Sequence, residues 1–365
     1  MCVRKLQDKI LIGILCVFIA LGLFATVLTP ARAFSPSENR VLAQMPDVTL
    51  KSVLSGKFMS DFETYLTDQF FARDLWVGMK YYCERALLKQ ENNGVYIAGD
   101  RLFLRFDRPD DKRVTQNLNA VDKLHAATGV PVSFSLIPTS AYIYADALPK
   151  HAPTYDQQEL FYKAASTEGY FDLSQMLLEH RDEYIYYRTD HHWTSLGAYY
   201  AYCAIAAQLG YTPIELPQNG VSVPDFYGTL HSRGGVRGIA PDEIVYYPFD
   251  NLTLYAEGAE HPLYDLKQAE AKDKYSLFLG GNWGTAVIRN ENIKTGEKLV
   301  LVRDSFSNAL APLLAQNVSE LHLVDPRYYK LPLSQYVKDN GIDRVLVLYQ
   351  TANFVQDSSI VMTAR

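Results

Sequence analysis

Apolar positions along this chain fall into three patterns. The first is an unbroken run. Residues 10–28 carry no charge, and Arg4, Lys5 and Lys9 precede them. As a helix this run would span about 29 Å, close to the hydrocarbon thickness of a bilayer. Basic residues before it and few after it orient the N-terminus inward and place the rest of the chain outside. Ala31-Arg32-Ala33 is similar to a signal-peptidase site, so residues 1–33 read as a signal anchor or as a cleaved signal peptide.

The second pattern has helical spacing. Phe58, Phe62, Leu66, Phe70 and Phe71 predict a helical stretch over 56–90, after a polar segment at 34–55 that reads as an extended linker. Val95-Tyr96-Ile97 and Leu102-Phe103-Leu104, separated by Gly99-Asp100, predict a hairpin. Residues 34–110 thus form a linker with a helical and hairpin extension.

The third pattern alternates helical stretches with short apolar runs. Helices are predicted over 112–127, 156–167 and 172–182. Strands are predicted over 130–137, 184–186, 299–302, 321–324 and 344–348. A helix capped by Thr194 or Ser195 runs to Gly210, and others follow over 305–316 and 333–340. Such alternation predicts an α/β domain over 111–365, with a mainly parallel sheet covered on both faces. Residues 211–298, rich in Gly, Pro, Tyr and Asn, read as a β-rich insert within it.

Composition narrows the function. Hydrophobic residues make up 48% of the 365 and charged residues 21%, as in ordinary globular proteins. The net charge is −6, and no Lys/Arg run follows the N-terminus, which argues against a nucleic-acid partner. Removing residues 1–33 takes away Arg4, Lys5, Lys9, Arg32 and Asp8 and leaves −9. That overall field does not favour a strongly anionic polymer, although a local basic pocket stays open. The 26 tyrosines suit sugar-binding faces or simple core packing. Of the four cysteines, Cys83 and Cys203 would lie outside; their spacing decides neither for nor against a disulfide. No Cys-x-x-Cys or His-rich zinc pattern occurs.

Two segments carry candidate chemistry. Leu299-Val300-Leu301-Val302-Arg303-Asp304-Ser305 ends a buried strand with a serine at the turn into a helix. Ligands bind beyond the carboxyl ends of parallel strands, and free N–H groups there suit an oxyanion. An Asp-Ser pair before a helix is equally an ordinary N-cap. Asp190-His191-His192-Trp193 offers a base and a carboxylate on one loop. Serine needs such a base, and a carboxylate can fix its tautomer. The alternatives are a structural loop histidine or a metal site using Asp190, His191 and His192 with His231.

Together, Asp190-His191-His192-Trp193, the Gly-Ala-Tyr-Tyr helix after it and Asp304-Ser305-Phe306 resemble the bacterial DHHW proteins. That family is similar to the SGNH-like alginate O-acetyltransferases. Ser37-Glu38-Asn39-Arg40, Asn93-Gly94-Val95-Tyr96 and Val324-Asp325-Pro326-Arg327-Tyr328-Tyr329 extend the likeness over most of the exported chain. The resemblance implies an SGNH-hydrolase-like three-layer domain with circularly permuted motif order. In it Asp190 orients, His192 is the base and Ser305 attacks. SGNH enzymes carry Gly-Asp-Ser at the nucleophile, whereas Arg303 stands in place of that Gly here. Ser305, Gly281 and Asn282 are the candidate oxyanion-hole donors, with Asn308 as another. Trp193, Arg303 and Tyr328 are candidate substrate-binding residues, and no metal or cofactor is expected. The implied function is an exported O-acetyltransferase acting on a surface polysaccharide, with a membrane-bound O-acyltransferase as acetyl donor. A carbohydrate acetylesterase with the same three residues, or a non-catalytic carbohydrate-binding scaffold, are the alternatives.

Overall fold

The computed structural model describes residues 2–364, which divide into two compact units: residues up to 89 with 235–237, and residues 90–234 with 238 onward. In the smaller unit, Gln7–Leu28 is a helix long and apolar enough to cross a membrane. Helices Leu50–Leu54, Lys57–Asp68 and Arg73–Ala86 follow. The segment read as a linker is held in place by polar contacts. Phe34–Ser35 pairs with Arg40–Val41. Arg40 reaches the buried carboxylate of Asp68 at 2.8 Å, and Ser37 donates to Asp74 at 2.7 Å. Periodicity could not reveal this, because charged and hydroxyl side chains make the contacts.

The larger unit is built on a seven-stranded sheet: β1 (Val132–Ile137), β2 (Leu252–Ala256), β3 (Ala259–His261), β4 (Thr285–Asn290), β5 (Lys298–Arg303), β6 (Glu320–Val324) and β7 (Arg344–Gln350). Their order across the sheet is β3-β2-β4-β6-β5-β7-β1. The pairs β6–β5, β5–β7 and β7–β1 are parallel. The pairs β3–β2, β2–β4 and β4–β6 are antiparallel, so β1, β2, β5, β6 and β7 all run one way.

Strand alternation sorts the side chains into two cores. Leu299, Leu301, Leu346 and Leu348 face a cluster completed by helices Ser195–Leu209 and Ser307–Leu314. Val300, Val302, Val345 and Val347 face the other, closed by helices Asp111–Thr128, Gln157–Ala164 and Leu333–Asn340. Each such fully buried side chain stabilises by about 1.5–3 kcal/mol over exposure. The result is three layers, helices on both faces of a mixed sheet.

Three expectations change. Residues 211–298 are β-rich, but they are not a separate insert: β2, β3 and β4 complete the central sheet. Leu252, Leu254, Ala256, Ala286 and Ile288 bury there in strict alternation. Residues 184–186 form no strand and keep only a single bridge, Tyr186 to Trp193. The helix predicted from Ser305 starts at Ser307 and leaves Ser305 in the preceding turn. Cys83 and Cys203 are free thiols.

Candidate functional site

Ser305 sits just past the carboxyl end of β5. Its turn is pinned by Asp304, which is fully buried and accepts from Phe306 N–H (3.0 Å), Gln350 N–H (2.9 Å) and Asn353 Nδ2 (2.8 Å). Gln350 ends β7, the parallel neighbour of β5, so Asp304 ties the serine turn to the adjacent strand end. Burial pushes the Asp304 carboxyl up, and the three donors only partly offset this. Ser305 stays part-exposed, with Oγ 2.9 Å from His192 Nε2.

His192 comes from a loop closed at its ends. Tyr186 bridges Trp193, and the Thr194 hydroxyl accepts from Gly197 N–H at 3.2 Å to start the next helix. Buried Asp242 accepts from Arg188 N–H (2.9 Å), Thr189 N–H (2.7 Å) and Thr189 Oγ1 (2.6 Å), fixing the loop from below. Asp190, 1% exposed, is saturated with donors. Its Oδ1 accepts from His192 N–H (2.9 Å) and Nδ1 (2.6 Å). Its Oδ2 accepts from Thr229 N–H (2.7 Å) and Oγ1 (2.8 Å). Gly228 makes that approach possible: a Cβ there would lie 2.2 Å from Asp190 Cβ.

These contacts set tautomers. A carboxylate only accepts, so His192 Nδ1 carries a proton and Nε2 accepts from the Ser305 hydroxyl. The Thr229 hydroxyl is spent on Asp190, so His191 Nδ1 donates to it, at 2.6 Å. Burial pushes the Asp190 carboxyl up, but the neighbouring His191 and His192 outweigh it and hold it well below the usual range. Burial, then the charge of His191, lowers His192 to about 4, although Asp190 opposes both. Burial would lower His191 as well, yet Asp190 prevails and raises it. At neutral pH the arrangement therefore holds a carboxylate, a neutral imidazole and a hydroxyl in line, which is what proton abstraction from a serine requires.

Other predicted residues land differently. Trp193 has no exposed surface; its Nε1 donates to Phe306 O at 2.9 Å, so it supports the serine turn and does not line a pocket. Arg303 is likewise fully buried. Its Nη1 donates to Asn282 Oδ1 (3.1 Å), Asp304 O (3.3 Å) and Asn308 Oδ1. Tyr328 is exposed, beside the guanidinium of Arg327. Leu279, Gly280 and Gly281 all have positive φ, a tight turn that delivers Asn282. The Gly281 N–H is taken by Phe278 O at 3.2 Å, which removes it as an oxyanion donor. Asn308 Nδ2 is spent on Asn282 Oδ1 at 3.3 Å.

Sequence reading missed Tyr275, whose ring stacks on His192 at 3.8 Å and 10°, and the support from Thr229, Gly228 and Asn353. A Gly-Thr pair entering a short helix was the one legible signal. The stacking partner left none, since Tyr275 is one tyrosine among 26.

Asp190, His191 and His192 also bring ligand-type atoms within 4.8 Å of one another. Both Asp190 oxygens and both Nδ1 atoms are already engaged in the hydrogen bonds above. A cation would have to displace them, so the cluster fits a hydrogen-bonded carboxylate better than a metal centre.

The fold and site define a three-layer α/β protein with a serine, a histidine and a carboxylate aligned at the strand ends. Residues 115–324, more than half of the chain, match the family model described as DHHW protein, and the chain belongs to that family. Among solved structures it is similar to a DHHW family protein from Eubacterium siraeum, with 25% identity and a TM-score of 0.62 over 74% of this chain and 95% of that one. Bacillus cereus PatB1, solved with a sulfonyl adduct, is 21% identical with a TM-score of 0.60, over 74% and 98%. The O-acetyltransferase domain of Pseudomonas putida AlgJ is 15% identical with a TM-score of 0.45, over 74% and 99%. None of the curated proteins matches.

Proposed function

We propose that this chain is a serine-type O-acetyltransferase that acts outside the cytoplasm on hydroxyls of a cell-surface polysaccharide, held at the membrane by its N-terminal helix. The observation that carries the reading is the hydrogen-bonded line from Asp190 through His192 to Ser305, at 2.6 and 2.9 Å. In the first step His192 Nε2 takes the Ser305 proton as Oγ bonds to the acetyl carbonyl carbon. The bond to the donor's leaving group breaks, and that group receives the proton from His192. In the second step an acceptor hydroxyl attacks the acetyl-serine, gives its proton to His192, and Oγ leaves with that proton.

Ser305 N–H has no partner among the described residues, and with Asn282 Nδ2 it forms the oxyanion hole. Arg303, bonded to Asn282 Oδ1, fixes which way that amide points. The acetyl donor is a membrane-bound O-acyltransferase, because a cytoplasmic thioester cannot reach an outside site. The permuted order, Asp and His before Ser, belongs to this reading.

The test is incubation of the full chain with an aryl acetate, with and without a surface oligosaccharide. Acetylated sugar is expected. Acetate release unaffected by sugar would favour an esterase with the same three residues, in which water replaces the sugar hydroxyl.

A pH prediction follows from His192. The base works deprotonated, so lowering its pKa from 6.5 to about 4 moves the loss of activity to lower pH. The acid limb of kcat/KM for aryl acetate hydrolysis should fall well below 6.5. His191→Asn removes a neighbouring positive charge and should shift that limb upward. A wild-type limb at or above 6.5 would contradict the electrostatic account.

A further inference from the structure

Beside the serine site lies a cavity of about 690 Å³ that takes His191, Thr229 and Asn353 into its lining. These residues link it directly to the site: Thr229 holds Asp190, and Asn353 holds Asp304. The remaining walls come from residues 104–110, Arg113, Leu230, Arg233 and the helix Thr351–Gln356.

Its charge runs against that of the whole molecule. Arg105, Arg108, Arg113 and Arg233 line it, against Asp107 and Asp110, while the chain carries −6 overall. Some of that charge is internally spent. Arg105 forks onto Asp107 at 3.0 and 3.1 Å, and Arg108 reaches Asp111 only at 3.4 Å. Arg233 uses Nε on Asn93 O at 3.0 Å, and its Nη groups stay unbonded among the described residues. Arg113, half-buried in the cavity wall, makes no hydrogen bond or ion pair among the described residues. The Arg113 guanidinium and the free Nη groups of Arg233, in a concave, partly enclosed space, are suited to bind an anion. A guanidinium fork matches carboxylate, phosphate or sulfate oxygens.

We propose that this cavity is the acceptor subsite and that the acceptor is an anionic glycan, its charged group held by Arg113 and Arg233 and a neighbouring hydroxyl presented toward Ser305 past His191. The proposal rests on the acyltransferase reading. It also reverses what net charge alone suggested, because a local basic cleft focuses its own field whatever the sum over the surface.

Binding to the full-length Ser305→Ala chain tests it without passing through the chemistry. Calorimetry with length-matched uronate, sulfated, phosphorylated and neutral oligosaccharides separates the sources of charge. At least one anionic series should bind about tenfold tighter than the neutral one, and weaken as salt rises from about 50 to about 200 mM. Arg113→Gln and Arg233→Gln, on different elements, should each reduce anionic binding about fivefold or more, with thermal unfolding run alongside to confirm folding. Equal affinity for neutral and anionic sugars, or insensitivity to salt and to both substitutions, overturns the proposal. Acylation of wild-type Ser305 is measured separately. If Ser305 acylates normally while anionic sugars gain nothing, the subsite fails and the acyltransferase reading survives; if anionic sugars bind as expected but Ser305 never acylates, the acyltransferase reading fails and the cavity's role as an acceptor subsite falls with it.

Discussion

Ser305→Ala is expected to remove essentially all acyl chemistry, a loss of about 10⁶ in kcat toward an aryl acetate, by analogy with other serine triads. The Oγ is the atom that His192 Nε2 reaches at 2.9 Å, and among the described residues no second hydroxyl is bonded to that nitrogen. The substitution deletes one part-exposed oxygen from a turn held by Asp304 and not by the serine side chain. Stability should therefore change by less than about 1 kcal/mol. Thermal unfolding beside the rate assay separates lost chemistry from lost fold. Persistent turnover in well-folded Ser305→Ala protein would mean that the nucleophile lies elsewhere.

Asp190→Asn should cost about 10⁴ in kcat, by the logic of tautomer control. Asp190 accepts four hydrogen bonds, from His192 N–H, His192 Nδ1, Thr229 N–H and Thr229 Oγ1. An asparagine offers one accepting oxygen and one donating amide. If the amide faces His192 it meets Nδ1, and the imidazole must move its proton to Nε2, where it cannot take one from Ser305. If it faces Thr229 it meets a backbone N–H and leaves a buried donor unpaired, at about 1–3 kcal/mol. A fall in kcat with KM nearly unchanged, and a modest drop in unfolding temperature, is the expected pattern. Activity within tenfold of wild type would show that Asp190 only shapes the loop.

Much of this was legible because buried strands announce themselves. Leu299–Val302 and Arg344–Leu348 are apolar runs between turn signals, and they lie in neighbouring interior strands of the sheet, at whose ends the serine sits. The Thr194 cap and the Gly210 stop were also visible as residue types. What stayed hidden depends on long-range packing. Buried and part-exposed positions alternate along β2 and β4, as in many exposed hairpins, and β3 is short and unburied, so nothing local says that they join the parallel sheet. Trp193 stands in a motif beside the histidines, yet tertiary packing turns its ring inward onto Phe306. Arg303 looked like a break in a familiar glycine pattern; only the structure shows its guanidinium turned toward Asn282 and Asn308. The basic cavity escaped because its arginines are scattered from 105 to 233 within a net-acidic chain.

The central claim is that Ser305 carries the acyl group. Rapid-quench mass spectrometry of the full chain mixed with an aryl acetate, followed by peptide mapping, reads this directly. The account predicts one acetyl per chain on the peptide containing Ser305, lost on addition of the acceptor oligosaccharide and absent from the His192→Ala protein. An unmodified Ser305 peptide during turnover, or acetyl found on another residue, would contradict it.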